Sequence, residues 1–197
     1  KQISADLVAQ QPCSCELDIT NIKTGREYLS FLEERLVNFF NEGYSIAALL
    51  DYRTHYVDEM MRSLYEHFEL NNLPKLAMIA VGGYGRGELF LKSDIDLLIV
   101  SQDKLSEEAQ EQISSFISYL WDLKLDIGSS VRTIDECLEK VNADLTICTN
   151  LLENRFLCGD YKVYEFLLNT ISKDSTWNTK RFFHAKVAEE LERHHAY

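Results

Sequence analysis

The chain has 197 residues, 46% of them apolar, which suits one good-sized domain or one domain with a helical addition. Its formal net charge of −12 argues against a general nucleic-acid binder, because such proteins need a basic surface for phosphates. No apolar run approaches the roughly 18 residues of a membrane helix, and the N-terminus has no apolar signal region, so we expect no membrane association. The chain does not begin with Met, and we expect it to be part of a longer protein.

The five cysteines favour a reduced, cytoplasmic protein. Cys13 and Cys15 are too close for an ordinary disulfide and have no second pair for a zinc site. Cys137, Cys148 and Cys158 fall in helical patterns without ligand-like spacing.

Two helices are predicted first. A capping box from Thr24 to Glu27 predicts the start of a helix that stops at 41–43. Ser45 is predicted to cap a longer helix with an i, i+3, i+4 apolar stripe, which ends at 71–74.

The pattern then changes to strands. A continuous apolar run at 76–81 predicts a buried strand, and 95–100 predicts a second one. Ser106 is predicted to begin a helix, and 125–132 is predicted as a third strand. The predicted buried face of that helix consists of Ile113, Phe116, Ile117, Leu120 and Trp121.

The remainder is predicted to be helical. A second capping box, from Thr133 to Glu136, opens it. The predicted helices are 134–141, 144–153, 161–171 and 179–195. We therefore expect an α+β fold with a small mixed sheet, divided into an N-terminal helical region (1–72), a core (73–142) and a C-terminal helical segment (143–197).

The chemistry is concentrated between the first two predicted strands. Gly82 and Gly83 end the first strand, and without Cβ atoms they allow a sharp turn whose N–H groups suit a phosphate. Asp94 and Asp96 open the second strand, where side chains at i and i+2 share a face. Their mutual repulsion is relieved by a divalent cation, so we expect Mg²⁺, with Mn²⁺ as an alternative. Two such ions about 3.5–4 Å apart would suit group transfer between oxygens.

Other interpretations of these glycines fit less well. A dinucleotide fingerprint starting at Gly83 would have Glu88 at its sixth position, and one starting at Gly85 would have Phe90 there. A Walker loop needs a terminal G-K-[ST], which does not occur. The remaining alternative is a glycine turn and two strand aspartates without a role.

The Gly-Gly turn, the linker and the Asp-x-Asp strand resemble the DNA polymerase beta-like nucleotidyltransferase superfamily. The segments 82–89 and 93–98 are similar to one branch, the bacterial PII-protein uridylyltransferase/uridylyl-removing enzymes. Further similar segments are Leu120-Trp121-Asp122, Gly128 to Thr133, Asp144-Leu145-Thr146 and Asn150 to Glu153. The resemblance implies the superfamily's sheet and transfer of UMP from UTP to a tyrosine of the PII signalling protein.

The resemblance also assigns residues. Asp94 and Asp96 match the metal-binding aspartates, and Gly82 and Gly83 match the phosphate turn. Members often use a third carboxylate on a neighbouring strand, for which Asp126 is the candidate metal ligand and proton acceptor. Asp126 could equally be a turn residue, in which case Asp122 is the fallback.

Basic and hydroxyl residues flank the motif. We expect Arg86 to contact the triphosphate, although an ion pair with Glu88 is the alternative. Lys92 and Ser93 are further candidate nucleotide contacts. Arg132, after the third predicted strand, could reach the site or form a structural ion pair.

Two rival functions remain at this stage. One keeps the fold but transfers AMP, as in glutamine-synthetase adenylyltransferases or related regulatory enzymes, because no residue of the glycine turn selects uracil. The other is a nucleotide-binding regulatory module without turnover, against which the presence of both Asp94 and Asp96 argues. Because the hydrolase and glutamine-sensing domains of the resembling enzymes lie beyond this chain, we expect transferase chemistry without uridylyl removal.

Overall fold

The computed structural model describes residues 19–143 and 145–173, and this part of the chain contains seven helices and a four-stranded sheet. Helix α1 (Ile22–Asn41) begins earlier than predicted, because the side chain of Asn21 caps it by accepting the N–H groups of Lys23 and Thr24. The predicted capping box at Thr24 is therefore wrong. Helix α2 (Ile46–His67) is capped as predicted by Ser45, whose side chain accepts the N–H of Ala48 at 3.2 Å.

The other elements follow in a βαβαβααβα order after a 3₁₀ turn at Leu70–Asn72. They are β1 (Leu76–Ala80), the short α3 (Gly82–Gly85), β2 (Ile95–Ser101), α4 (Glu107–Asp122), β3 (Ile127–Thr133), α5 (Ile134–Ala143), α6 (Leu145–Leu152), β4 (Arg155–Gly159) and α7 (Tyr161–Lys173).

The sheet is mixed, as predicted. Its order is β3-β2-β1-β4, with β1 antiparallel to both neighbours and β2 parallel to β3. The sequence did not predict β4, and the assignment of Cys158 to a helical pattern is wrong, since it lies in this strand. Five residues between two helices carry too little alternation to reveal a strand, so pairing with β1 decides the conformation.

The sheet lies between two helical layers. On one face Met78, Leu97 and Ile99 pack in a core with residues of α1, α2 and α4. On the other face Ile79 and Leu98 pack with residues of α5, α6 and α7. Trp121 was predicted to face the core but is 57% exposed, whereas Leu120 beside it in α4 is fully buried.

The second predicted capping box is confirmed. The N–H of Thr133 donates to Glu136 Oε2 at 2.8 Å, and the N–H of Glu136 donates to Thr133 Oγ1 at 3.2 Å. These bonds turn the chain from β3 directly into α5.

Some predictions fall outside the described residues, including the helix at 179–195 and the environment of Cys13 and Cys15. The domain limits 1–72, 73–142 and 143–197 stay predictions, although β4 joins the third of these regions to the sheet of the second. Among the helices in 19–143 and 145–173, none combines the length and apolar character needed to cross a bilayer.

Candidate active site

The glycine segment forms a tight helical turn directly after β1. Gly82 has φ +59°, a left-handed value that side chains rarely tolerate. The first bonds of the turn run from Gly85 N–H to the Val81 carbonyl at 3.0 Å and from Arg86 N–H to the Gly82 carbonyl at 3.1 Å. The N–H groups of Gly82 and Gly83 precede these bonds and have no backbone acceptor within the described ranges, which leaves them available to a ligand.

The third glycine of the segment allows close packing. A Cβ on Gly85 would overlap the carbonyl of Glu153, so only glycine lets the turn rest against the end of α6. The glycine turn is thereby held between β1 and α6.

Asp96 lies beside this turn, because β1 and β2 are paired strands. The Val81 N–H donates to the Asp96 carbonyl at 3.1 Å, and the Asp96 carboxylate reaches within 3.2 Å of the Cβ position of Gly82. On the other side, Asp96 is paired with Gly128 of β3, where a Cβ would overlap Asp96 Oδ1. The carboxylate therefore occupies a space that two glycines keep open.

The two aspartates repel each other. Asp94 is exposed and Asp96 is half-buried. Burial first, and then the negative charge of Asp94, raises the pKa of the Asp96 carboxyl group. A cation between the two carboxylates would relieve this repulsion, so the pair fits a divalent metal ion.

Asp126 lies at the start of the neighbouring strand. Its carbonyl accepts the N–H of Ile95 at 2.8 Å, which extends the β2–β3 ladder to this residue. Because it lies two residues before Gly128, which pairs with Asp96, Asp126 belongs to the same face of the sheet as Asp96. Within the described ranges, no three His, Cys, Asp or Glu side chains lie close enough together to form a metal cluster, so its role as third ligand stays a prediction.

The fallback carboxylate is placed differently. Asp122 ends α4 and is exposed, and its backbone carbonyl accepts hydrogen bonds from Arg26 of α1. Asp122 therefore does not belong to the face of strands β2 and β3 on which Asp96 lies.

Arg86 is paired with two carboxylates in this structure. Its Nε donates to Glu88 Oε2 at 2.8 Å, and its Nη1 bonds Glu153. The guanidinium nevertheless lies beside the turn, with Nη2 3.9 Å from the Cβ position of Gly83. The predicted ion pair with Glu88 is present, and a phosphate contact would need the guanidinium to exchange partners.

The other flanking residues lie in the connection between α3 and β2. Lys92 is exposed, and Ser93 is half-buried with its N–H donating to the Phe90 carbonyl at 2.9 Å. Arg132 is paired with Val100, well along β3 from the Asp96–Gly128 pair, so the structure does not bring it to the site.

Helix α6 and the residue that follows it add two residues that were not predicted as site residues. The side-chain Oδ1 of Asn150 lies 3.7 Å from the Cβ position of Gly82, on the side where Asp96 approaches. Glu153, one turn later, holds Arg86. Their only sequence signal was membership of the segment 150–153 that supported the family resemblance.

Comparison with known sequences gives a consistent identification. Residues 62–157 match the family described as "Nucleotidyltransferase domain". This range runs from α2 through β4 and contains the glycine turn and all three candidate aspartates.

Curated relatives match over most of this chain. A "Bifunctional uridylyltransferase/uridylyl-removing enzyme" of Vibrio atlanticus is 44% identical over 182 residues, which are 92% of this chain and 20% of that protein. A protein of the same name from Photobacterium profundum is 46% identical over 145 residues, 74% of this chain and 17% of that protein. The chain thus spans about a fifth of the length of these relatives.

Solved structures give more distant matches. A crystal structure described as a toxin–antitoxin with AMP-PNP is 20% identical, with a TM-score of 0.40, and the match covers 66% of this chain and 97% of that one.

Proposed function

Since this chain belongs to the nucleotidyltransferase family through residues 62–157, we propose that it transfers UMP from UTP to a tyrosine of the PII nitrogen-signalling protein and releases pyrophosphate. The names of the curated relatives support uridylyl transfer.

One observation carries the proposal. The Asp96 carboxylate lies between the glycine turn after β1 and Gly128 of β3. Asp94 directly precedes β2, and its negative charge helps to raise the pKa of Asp96. An anion-binding turn beside two repelling carboxylates suits a triphosphate brought in with divalent cations.

Asp94 and Asp96 would hold Mg²⁺ or Mn²⁺, and Asp126 would complete a second ion's ligands from β3. When bound, the ions neutralise the phosphates and activate the attacking and leaving oxygens. In a chain of net charge −12, such cations are needed to offset the charge of a triphosphate.

The other residues have roles in binding and proton transfer. The N–H groups of Gly82 and Gly83 bind phosphate oxygens, and Arg86, Lys92 and Ser93 contact the triphosphate from the adjoining segment. The tyrosine oxygen forms a bond to the α-phosphorus as the bond to pyrophosphate breaks, and Asp126 takes the hydroxyl proton. Asn150 is placed to hydrogen-bond the nucleotide beside Gly82.

The net charge supports a protein acceptor over a nucleic acid, because a general nucleic-acid surface would be basic. It gives no preference between uracil and adenine. We further propose that the chain functions in the cytoplasm, where PII would be its acceptor.

The test is incubation of the chain with Mg²⁺, purified PII and either labelled UTP or labelled ATP. Label on PII from UTP alone supports the proposal. Label from ATP alone would contradict the proposal and favour an adenylyltransferase. Nucleotide binding without transfer to PII would favour the non-catalytic module. Asp96→Asn is the control that must abolish labelling.

A further inference from the structure

A buried polar cluster lies beneath the glycine turn, on the side away from the candidate metal ligands. Its centre is Asp58 of α2, which is only 7% exposed. Tyr84 of the turn donates its hydroxyl to Asp58 Oδ1 at 2.7 Å. Arg155 of β4 donates through Nη1 to Oδ2 and through Nη2 to Oδ1, the latter at 3.0 Å.

The cluster is fully paired around this carboxylate. Arg62, one turn after Asp58 on α2, lies 3.6 Å from Oδ2. Arg155 also donates to the backbone carbonyl of Tyr84 at 3.3 Å and lies 5.4 Å from the centre of its ring. Burial and the Asp58 charge raise the pKa of Tyr84 well above its usual value, so its hydroxyl keeps the proton that it donates.

The glycine segment needs such an anchor. Four of the six residues from Gly82 to Gly87 are glycines, which have no side chain to pack. Of the other two, Arg86 is exposed, whereas Tyr84 is 1% exposed. Tyr84 is therefore the buried side chain that anchors this segment, in addition to the packing of Gly85 against the end of α6.

Helix α2 also holds the end of the segment. Thr54, one turn before Asp58, donates its hydroxyl to the Gly87 carbonyl at 3.0 Å. Two successive turns of one helix thus fix Tyr84 and Gly87, on either side of Arg86.

We propose that Asp58 and Thr54 are positioning residues, which place the Gly82–Gly83 N–H groups for the nucleotide by anchoring Tyr84 and Gly87. This inference rests on the proposed function, since it assigns the nucleotide's phosphates to that turn. It extends the functional unit to α2 and to Arg155 of β4, which do not themselves contact the nucleotide.

The test uses two conservative variants, because an alanine at Asp58 would remove the buried carboxylate that Tyr84 and the half-buried Arg155 share, and could unfold the chain. Tyr84→Phe removes only the hydroxyl bonded to Asp58, and Thr54→Val removes only the hydroxyl bonded to Gly87. We expect each to raise the KM for UTP about tenfold, with kcat changed less than about threefold, because ground-state binding of the phosphates is weakened.

The matched control is Tyr65→Phe. Tyr65 is a buried tyrosine of α2 whose hydroxyl bonds the Leu76 carbonyl at 3.5 Å, at the opposite end of β1 from the glycine turn. The Tyr65→Phe variant loses a buried hydroxyl that does not contact the glycine turn. Its KM for UTP is therefore expected to equal that of the wild type. If all three variants lower the melting temperature and none changes the KM, the cluster is only structural and the inference is wrong.

The dissociation constant for Mg–UTP is measured in parallel by calorimetry. A wild-type chain that binds UTP but labels no PII would contradict the proposed function, and the variants' loss of binding would still decide the role of Asp58 and Thr54. A wild-type chain that binds no UTP would overturn both.

Discussion

The carboxylate of Asp96 and the backbone of Gly128 are in direct contact across the parallel strands β2 and β3. No larger residue fits at position 128 while Asp96 keeps its place, since a Cβ there would overlap Oδ1. The overlapping atom is the end of a side chain, so the carboxylate would move and the strand would remain.

Gly128→Ala should therefore give a folded protein whose Asp96 is displaced. Because displacement by about 1 Å can cost about a hundredfold in rate, we expect kcat to fall between roughly tenfold and a hundredfold. Circular dichroism should show an unchanged fold. Ser129→Ala, at the exposed neighbouring position, is the matched control, and equal activity in both variants would contradict the importance of this contact.

Asp96→Asn should separate activity from stability. The raised pKa means that the stability linked to Asp96 is present below its unfolded pKa and is lost as pH rises through its folded pKa. At pH 7 the ionised carboxylate thus lowers the stability of the metal-free protein. The variant should melt at a higher temperature without metal, while its activity falls at least about a hundredfold.

Thermal melts with and without Mg²⁺ check this expectation. Added Mg²⁺ should raise the melting temperature of the wild type and have little effect on Asp96→Asn. Asp103→Asn is the control, because Asp103 is exposed and paired with Lys75 beyond the far end of β2. Full activity in Asp96→Asn would remove the metal-site assignment.

Asp126→Asn tests the third carboxylate. If Asp126 accepts the hydroxyl proton, kcat should fall between about a hundredfold and ten-thousandfold. The pH–rate profile should also lose the rise in rate that accompanies deprotonation of a general base. Asp122→Asn should behave like the wild type. The opposite ranking would transfer the role to Asp122.

Substitutions at Arg86 and Glu153 are expected to change the affinity for the nucleotide in opposite directions. Arg86→Met should raise the KM for UTP about tenfold by removing a charge-assisted phosphate contact. Glu153→Gln should lower it a few-fold, because a carboxylate that competes with phosphate for the guanidinium is neutralised. If both variants leave the KM unchanged, Arg86 has only the structural role of joining the turn to α6.

The sequence predicts the part of the site that is local. Gly82, Gly83, Asp94 and Asp96 lie within 15 residues, so strand periodicity and one tight turn suffice to bring them together. The pairing of β1 with β2 then brings the Val81 N–H to the carbonyl of Asp96.

Residues from distant segments could not be predicted in this way. Asn150 and Arg155 reach the turn only through the packing of α6 and the pairing of β4, which no local pattern encodes. Asp58 is a buried residue of α2. The apolar periodicity of a helix separates its buried positions from its exposed ones, but it does not identify the residues with which a buried carboxylate pairs.

Strand β4 also protects β1. With β4 in place, β1 is hydrogen-bonded on both sides and is an interior strand of the sheet. A shortened chain ending before Arg155 would expose the N–H and C=O groups of β1 along the open side, beside five buried residues. Such an edge invites strand exchange between molecules, so the smallest soluble version of this domain has to retain the segment through Gly159.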